Sequence, residues 1–70
     1  MKRENAQHIN DLMLEYAAKL NSSLQFIKDN DSNEEFQKYR LAVGELLGKA
    51  LDIMNVIYSE HPDMKPKELL

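Results

Sequence analysis

From Ala6 to Ile57 the core-type positions recur at alternating spacings of three and four residues. Ala6, Ile9, Met13, Tyr16, Leu20, Ser23 and Ile27 form one row, and Phe36, Tyr39, Val43, Leu46, Ala50, Ile53 and Ile57 form a second. Each row is a seam of coiled-coil type. Between them lies Asp29-Asn30-Asp31-Ser32-Asn33, whose side chains bond locally to backbone and so favour a turn. Ser32 with Glu35 fits a capping box, and Asp31, Glu34 and Glu35 place negative charge at a positive helix end. Pro62 disfavours helical geometry in the residue before it. The pattern therefore predicts a helix over 4–29, a loop at 30–32, a helix over 33–60 and a tail over 61–70.

Folding the second helix back on the first pairs the two rows in one antiparallel register. Ile27 then meets Phe36, Ser23 meets Tyr39, Leu20 meets Val43 and Tyr16 meets Leu46; Met13 meets Ala50, Ile9 meets Ile53 and Ala6 meets Ile57. Small residues face large ones in three of these layers, which is how such a core fills. Ser23, the polar member, faces a tyrosine hydroxyl that can bond to it. Asn10, Asn21, Gln25 and Asn55 are expected on exposed faces.

The seams leave apolar residues over. Leu47, Leu51, Met54 and Tyr58 form a second stripe on the second helix, and Leu12, Leu14, Ala17 and Leu24 widen the first. One partner helix covers only a narrow arc, and a large exposed patch is sticky. A chain of 70 residues is also marginal alone and commonly adds a partner subunit. The expected architecture is all-α: an antiparallel two-helix hairpin paired into a homodimeric four-helix bundle. Gly44 and Gly48 lie one turn apart beside that second stripe and cost about 1 kcal/mol each relative to alanine. They are tolerated without a role, permit a close backbone crossing at the dimer interface, or mark a binding groove or a helix kink. The expected interface is Gly44, Leu47, Gly48, Leu51, Met54 and Tyr58.

Composition narrows the chemistry. Cysteine is absent, which excludes disulfides and thiolate sites and fits the cytoplasm. No apolar run reaches the roughly 18 residues of a membrane span, and no signal-peptide core follows Met1, so no membrane partner is expected. The net charge of −3 is uneven, with residues 29–63 strongly acidic, which argues against nonspecific nucleic-acid binding by that half. His8 and Asp11 could share a metal ion but are too few for a site. Asp29, Asp31, Glu34 and Glu35 match no EF-hand spacing. Glu45 and Lys49 form a favourable i,i+4 pair worth a few tenths of a kcal/mol. In the tail, Pro66 can open a short helix, too short to be stable alone; either its Leu69 and Leu70, with Met64, dock on the bundle end or the terminus frays. Neither a cysteine nucleophile, a Gly-rich phosphate loop nor an H-E-x-x-H pair is present, so no catalysis and no cofactor are expected.

In outline, positions 4–58 resemble the Rop family of plasmid RNA-binding proteins. The likeness rests on heptads and loop placement rather than on shared residues. It implies a paired hairpin that grips RNA through the outer face of its first helices, where this chain carries Lys2, Arg3, Asn10, Lys19, Asn21 and Lys28 in no obvious single stripe. The stretch Gly48-Lys49-Ala50-Leu51-Asp52 keeps only Leu-Asp of the S-Q-E-L-D pattern of hairpin phosphatases that act on response regulators, so that activity is not carried over. The functional expectation is a non-catalytic module acting through self-association or contacts with another protein: an adaptor, chaperone-like or regulatory protein. The Rop-like RNA regulator is the alternative.

Overall fold

The computed structural model describes residues 1–66. Helix α1 spans Arg3–Asn30, helix α2 spans Asn33–Glu60, and a short 3-10 turn, η1, spans Pro62–Met64. The two long helices pack against each other as a hairpin, with no strand among the described residues. Both α1 ends extend one residue beyond the expected 4–29, and α2 matches its expected bounds.

The turn needs no glycine, and no residue in it has a positive φ. Asp31 and Ser32 are extended. The Asp31 amide bonds the Ile27 carbonyl at 2.9 Å, satisfying one of the orphan acceptors of α1, and Asn30 Nδ2 donates to the Phe26 carbonyl at 2.9 Å. Ser32 Oγ accepts from the Glu35 amide at 3.2 Å, the expected cap of α2. The Ser32 amide in turn donates to Asp31 Oδ1 at 2.8 Å. At the other end the His61 amide still bonds Ile57, at 2.8 Å, after which Pro62 starts the tighter η1 turn. Met64 packs back onto the core. The helix expected to open at Pro66, with Leu69 and Leu70, lies outside the described residues.

The core sits toward the open end of the hairpin, away from the turn. Ala6, Met54, Ile57 and Tyr58 form a buried cluster with Ile9, Met13 and Met64 packed against it. Val43 and Ala50 carry burial toward the middle. At the turn end, Ser23 Oγ donates to the Leu20 carbonyl at 2.6 Å and lies 2.7 Å from Tyr39 Oη. Because the serine proton goes to that carbonyl, the tyrosine is the donor in the expected Ser23–Tyr39 bond.

Three expectations need correction. Asn10 is buried, not exposed, and Tyr58 Oη donates to its Oδ1 at 2.7 Å. Periodicity alone sends an asparagine outward; here a tyrosine from the other helix supplies the partner that makes burial affordable. Tyr16, Leu46 and Ile53, assigned to the seam, remain 36%, 45% and 43% exposed. Met54 and Tyr58 of the second stripe take the inner positions instead, so α2 is rolled slightly about its axis toward Asn10. Finally, Lys49 makes no ion pair among the described residues; the helical pairs formed are Lys19–Glu15 at 3.1 Å and Lys38 with Glu34 and Glu35, both at 3.7 Å. Exposed lysines are held weakly, and a few tenths of a kcal/mol does not fix one geometry.

Candidate docking surface

The roll of α2 leaves a groove between the helices on one broad face of the hairpin. Its volume is about 320 Å³. Leu12, Met13 and Tyr16 of α1 form one wall; Leu46, Lys49, Ala50 and Ile53 of α2 form the other. Ala50 makes the floor because it is buried and small. Leu12 is 48% exposed, so both rims are apolar and open to solvent. Lys49 is the sole charged residue lining the groove. Apart from the Tyr16 hydroxyl and the Lys49 amine the lining is apolar, so the surface can bind something apolar.

The six residues expected to form an interface divide between two other places. Met54 and Tyr58 are buried inside the hairpin, and Leu47 is half-buried. Gly44, Gly48 and Leu51 are exposed on the opposite side of α2, roughly 150° around the helix from Leu46 and Ile53. A methyl group at either glycine would meet nothing within 4 Å outside its own helix backbone. Within one chain the glycines therefore admit no close crossing. Leu14, 44% exposed, and Leu51, 46% exposed, are large apolar side chains left open away from the groove.

Periodicity missed the groove because its residues occupy seam positions. The available signal was the adjacency of two apolar stripes on α2, of which one partner helix covers only part. Which part is decided by Met54 and by the Tyr58–Asn10 bond, not by spacing.

The polar groups are mostly engaged structurally. At the open end, Arg3 forms a two-pronged ion pair with Asp63, with Nη1 donating to Oδ1 at 3.1 Å. That hydrogen bonding raises the Arg3 pKa and holds the Asp63 carboxyl below its ordinary value. The Met1 amine pairs with Glu60 at 3.0 Å, and His61 Nε2 lies 3.0 Å from the Met1 carbonyl. Burial pushes the Tyr58 hydroxyl pKa up. His8 is exposed, and Asp11 accepts from Gln7 at 2.9 Å. Among the described residues no three His, Asp or Glu side chains converge on a possible metal position. Of the α1 residues aligned with an RNA-gripping face, Asn10 is buried, Arg3 is bound to Asp63 and Lys19 is paired with Glu15. No helix of the described chain is long and apolar enough to cross a membrane.

Comparison with known protein families, curated proteins and solved structures finds no match to this chain.

Proposed function

We propose that this protein is a non-catalytic helical module that works through protein contacts, pairing with itself into a four-helix bundle in the cytoplasm. The observation that supports this reading is an imbalance of apolar surface. Among the described residues ten large apolar side chains stay exposed, while only six hydrophobic residues are buried. Single exposed apolar residues are ordinary, but contiguous ones flanking a groove mark contact sites. Two 28-residue helices with so small a shared core gain most by covering that surface.

The test is light scattering coupled to size exclusion across a concentration range, with circular dichroism on the same fractions. A helical dimer at micromolar concentration is the expected outcome. A fully helical monomer at every concentration overturns self-pairing and leaves contact with a different protein as the function to pursue.

A further inference from the structure

We propose that the groove between Leu12 and Tyr16 of α1 and Leu46 and Ile53 of α2 is the surface that a second copy covers, with both turns at the same end of the bundle. This rests on the self-pairing reading above and assigns it to one face.

Three observations carry the assignment. The first is size. The chain measures 44 × 20 × 15 Å, and the groove opens on the broad face, which contains both helices. The product of the two longer extents is about 900 Å², an outline with room for the ~800 Å² per partner of a standard stable interface. The second is position. Tyr16 and Leu46 stand at the midpoints of α1 (Arg3–Asn30) and α2 (Asn33–Glu60), so stacking two grooves overlaps the helices along nearly their full length. The third is charge. Lys49 stands at the groove wall with no ion partner among the described residues.

Charge also selects the direction. Two hairpins can stack groove to groove about a twofold axis across the helices or along them. An axis across the helices, centred on the groove, lays α2 on α2 and brings two Lys49 side chains together, which repel in a desolvated contact. An axis along the helices lays α1 of one copy on α2 of the other. In the register marked by the Ser23–Tyr39 bond, Lys49 then comes within two positions, about 3 Å of helix rise, of the second copy's Glu15, and Glu45 equally close to its Lys19. Both contacts join opposite charges at the rim, where such pairs set orientation. Both neighbouring helices still run antiparallel.

The absence of cysteine makes the test direct. Single-cysteine variants Glu15→Cys, Lys49→Cys and Gly48→Cys are made in the full chain, checked for helicity, and oxidised alone and in equimolar mixtures. The expected result is a dimer in which the Glu15→Cys and Lys49→Cys mixture forms the mixed disulfide well above its statistical share, while Gly48→Cys stays unlinked. Leu46→Lys, still helical, raises the dimer dissociation constant roughly thirtyfold or more. A dimer that links through Gly48→Cys, and tolerates Leu46→Lys, overturns the groove assignment while self-pairing stands. A dimer whose Lys49→Cys links mainly to itself overturns the shared direction of the turns. A monomer in all variants and in the unmodified chain overturns the assignment together with the reading beneath it.

Discussion

Ile53 and Ile57 sit one turn apart on the same helix and in the same predicted seam, yet their surroundings differ. Ile57 is 0% exposed, enclosed by Ala6, Met54 and Tyr58. Ile53 is 43% exposed and forms the wall of an open groove. The open end of the hairpin is a finished core; the middle of its broad face is an open groove. The difference teaches that identical spacing and identical side chains do not imply equal burial. What separates the two is the company each keeps: Tyr58, Met54 and Met64 close over Ile57, whereas Ala50 is too small to close over the side of Ile53.

The sharpest way to break this comparison is to truncate both. Ile57→Ala should cost about 2–5 kcal/mol, as expected for an isoleucine removed from a sealed site. That is enough to unfold most of a marginal domain, read as lost helicity or a lowered urea midpoint. Ile53→Ala should cost much less at concentrations where the chain is monomeric. If self-pairing covers the groove, its effect should grow with protein concentration, because the same side chain then becomes core. Equal losses for the two variants at low concentration would mean that the groove is closed already.

Tyr58→Phe tests the polar lock on the finished end. The change removes the donor to Asn10 and leaves a buried amide oxygen unpaired, at about 1–3 kcal/mol. Adding Asn10→Leu should recover most of that loss, since removing both partners is nearly neutral when shape is kept. The same bond predicts an alkaline limit. Burial raises the Tyr58 pKa, so the folded state prefers the protonated phenol. Its contribution is full below the ordinary tyrosine value of about 10 and is lost as pH rises through the raised value. The urea midpoint of the natural chain should fall as pH rises from about 10 toward that raised value, and that of Tyr58→Phe should fall less.

Much of the finished end and the turn could be read before folding. Ser32 and Glu35 announce the start of α2, Pro62 its stop, and Ser23 opposite Tyr39 a bond that forms at 2.7 Å. These are local rules or a single antiparallel register, and each leaves a residue-level signature. Asn10 was illegible because its burial depends on a tyrosine 48 positions away, and a helical wheel treats every asparagine as outward. The groove was illegible for a related reason. Spacing identifies which residues are apolar on α2, but both stripes satisfy it. The choice between Leu46 with Ile53 and Met54 with Tyr58 is a matter of a small roll, set by packing and one hydrogen bond.

The glycines sharpen the contrast from the other side of α2. A methyl group at Gly44 or Gly48 meets no neighbouring atom, so alanine should remove only the entropic penalty. Each change should stabilise the hairpin by about 0.5–1 kcal/mol in thermal or urea melts. If pairing uses the groove, Gly48→Ala should leave the dimer dissociation constant unchanged. If the dimer instead weakens while the hairpin stabilises, the close crossing at the glycine face is restored.

The smallest effect lies at the outermost edge of the finished end, where Arg3 of α1 holds Asp63 of η1. Hydrogen bonding to the guanidinium is the main cause that lowers the Asp63 pKa, so the folded state prefers the carboxylate. The contribution is therefore present above the ordinary aspartate value of about 3.9 and disappears as pH falls through the lowered value. Both side chains are exposed, so water and salt screen the pair, and its loss should not unfold the helices. What it should loosen is η1, whose Met64 and Lys65 amides bond the His61 and Pro62 carbonyls at 3.0 and 3.2 Å. Asp63→Asn should speed hydrogen exchange at those two amides while leaving exchange at Ile57 unchanged, since Ile57 is sealed by packing rather than by charge. Faster exchange at Ile57 as well would show that the turn and the core open together. The finished end would then owe its closure to the tether as much as to its side chains.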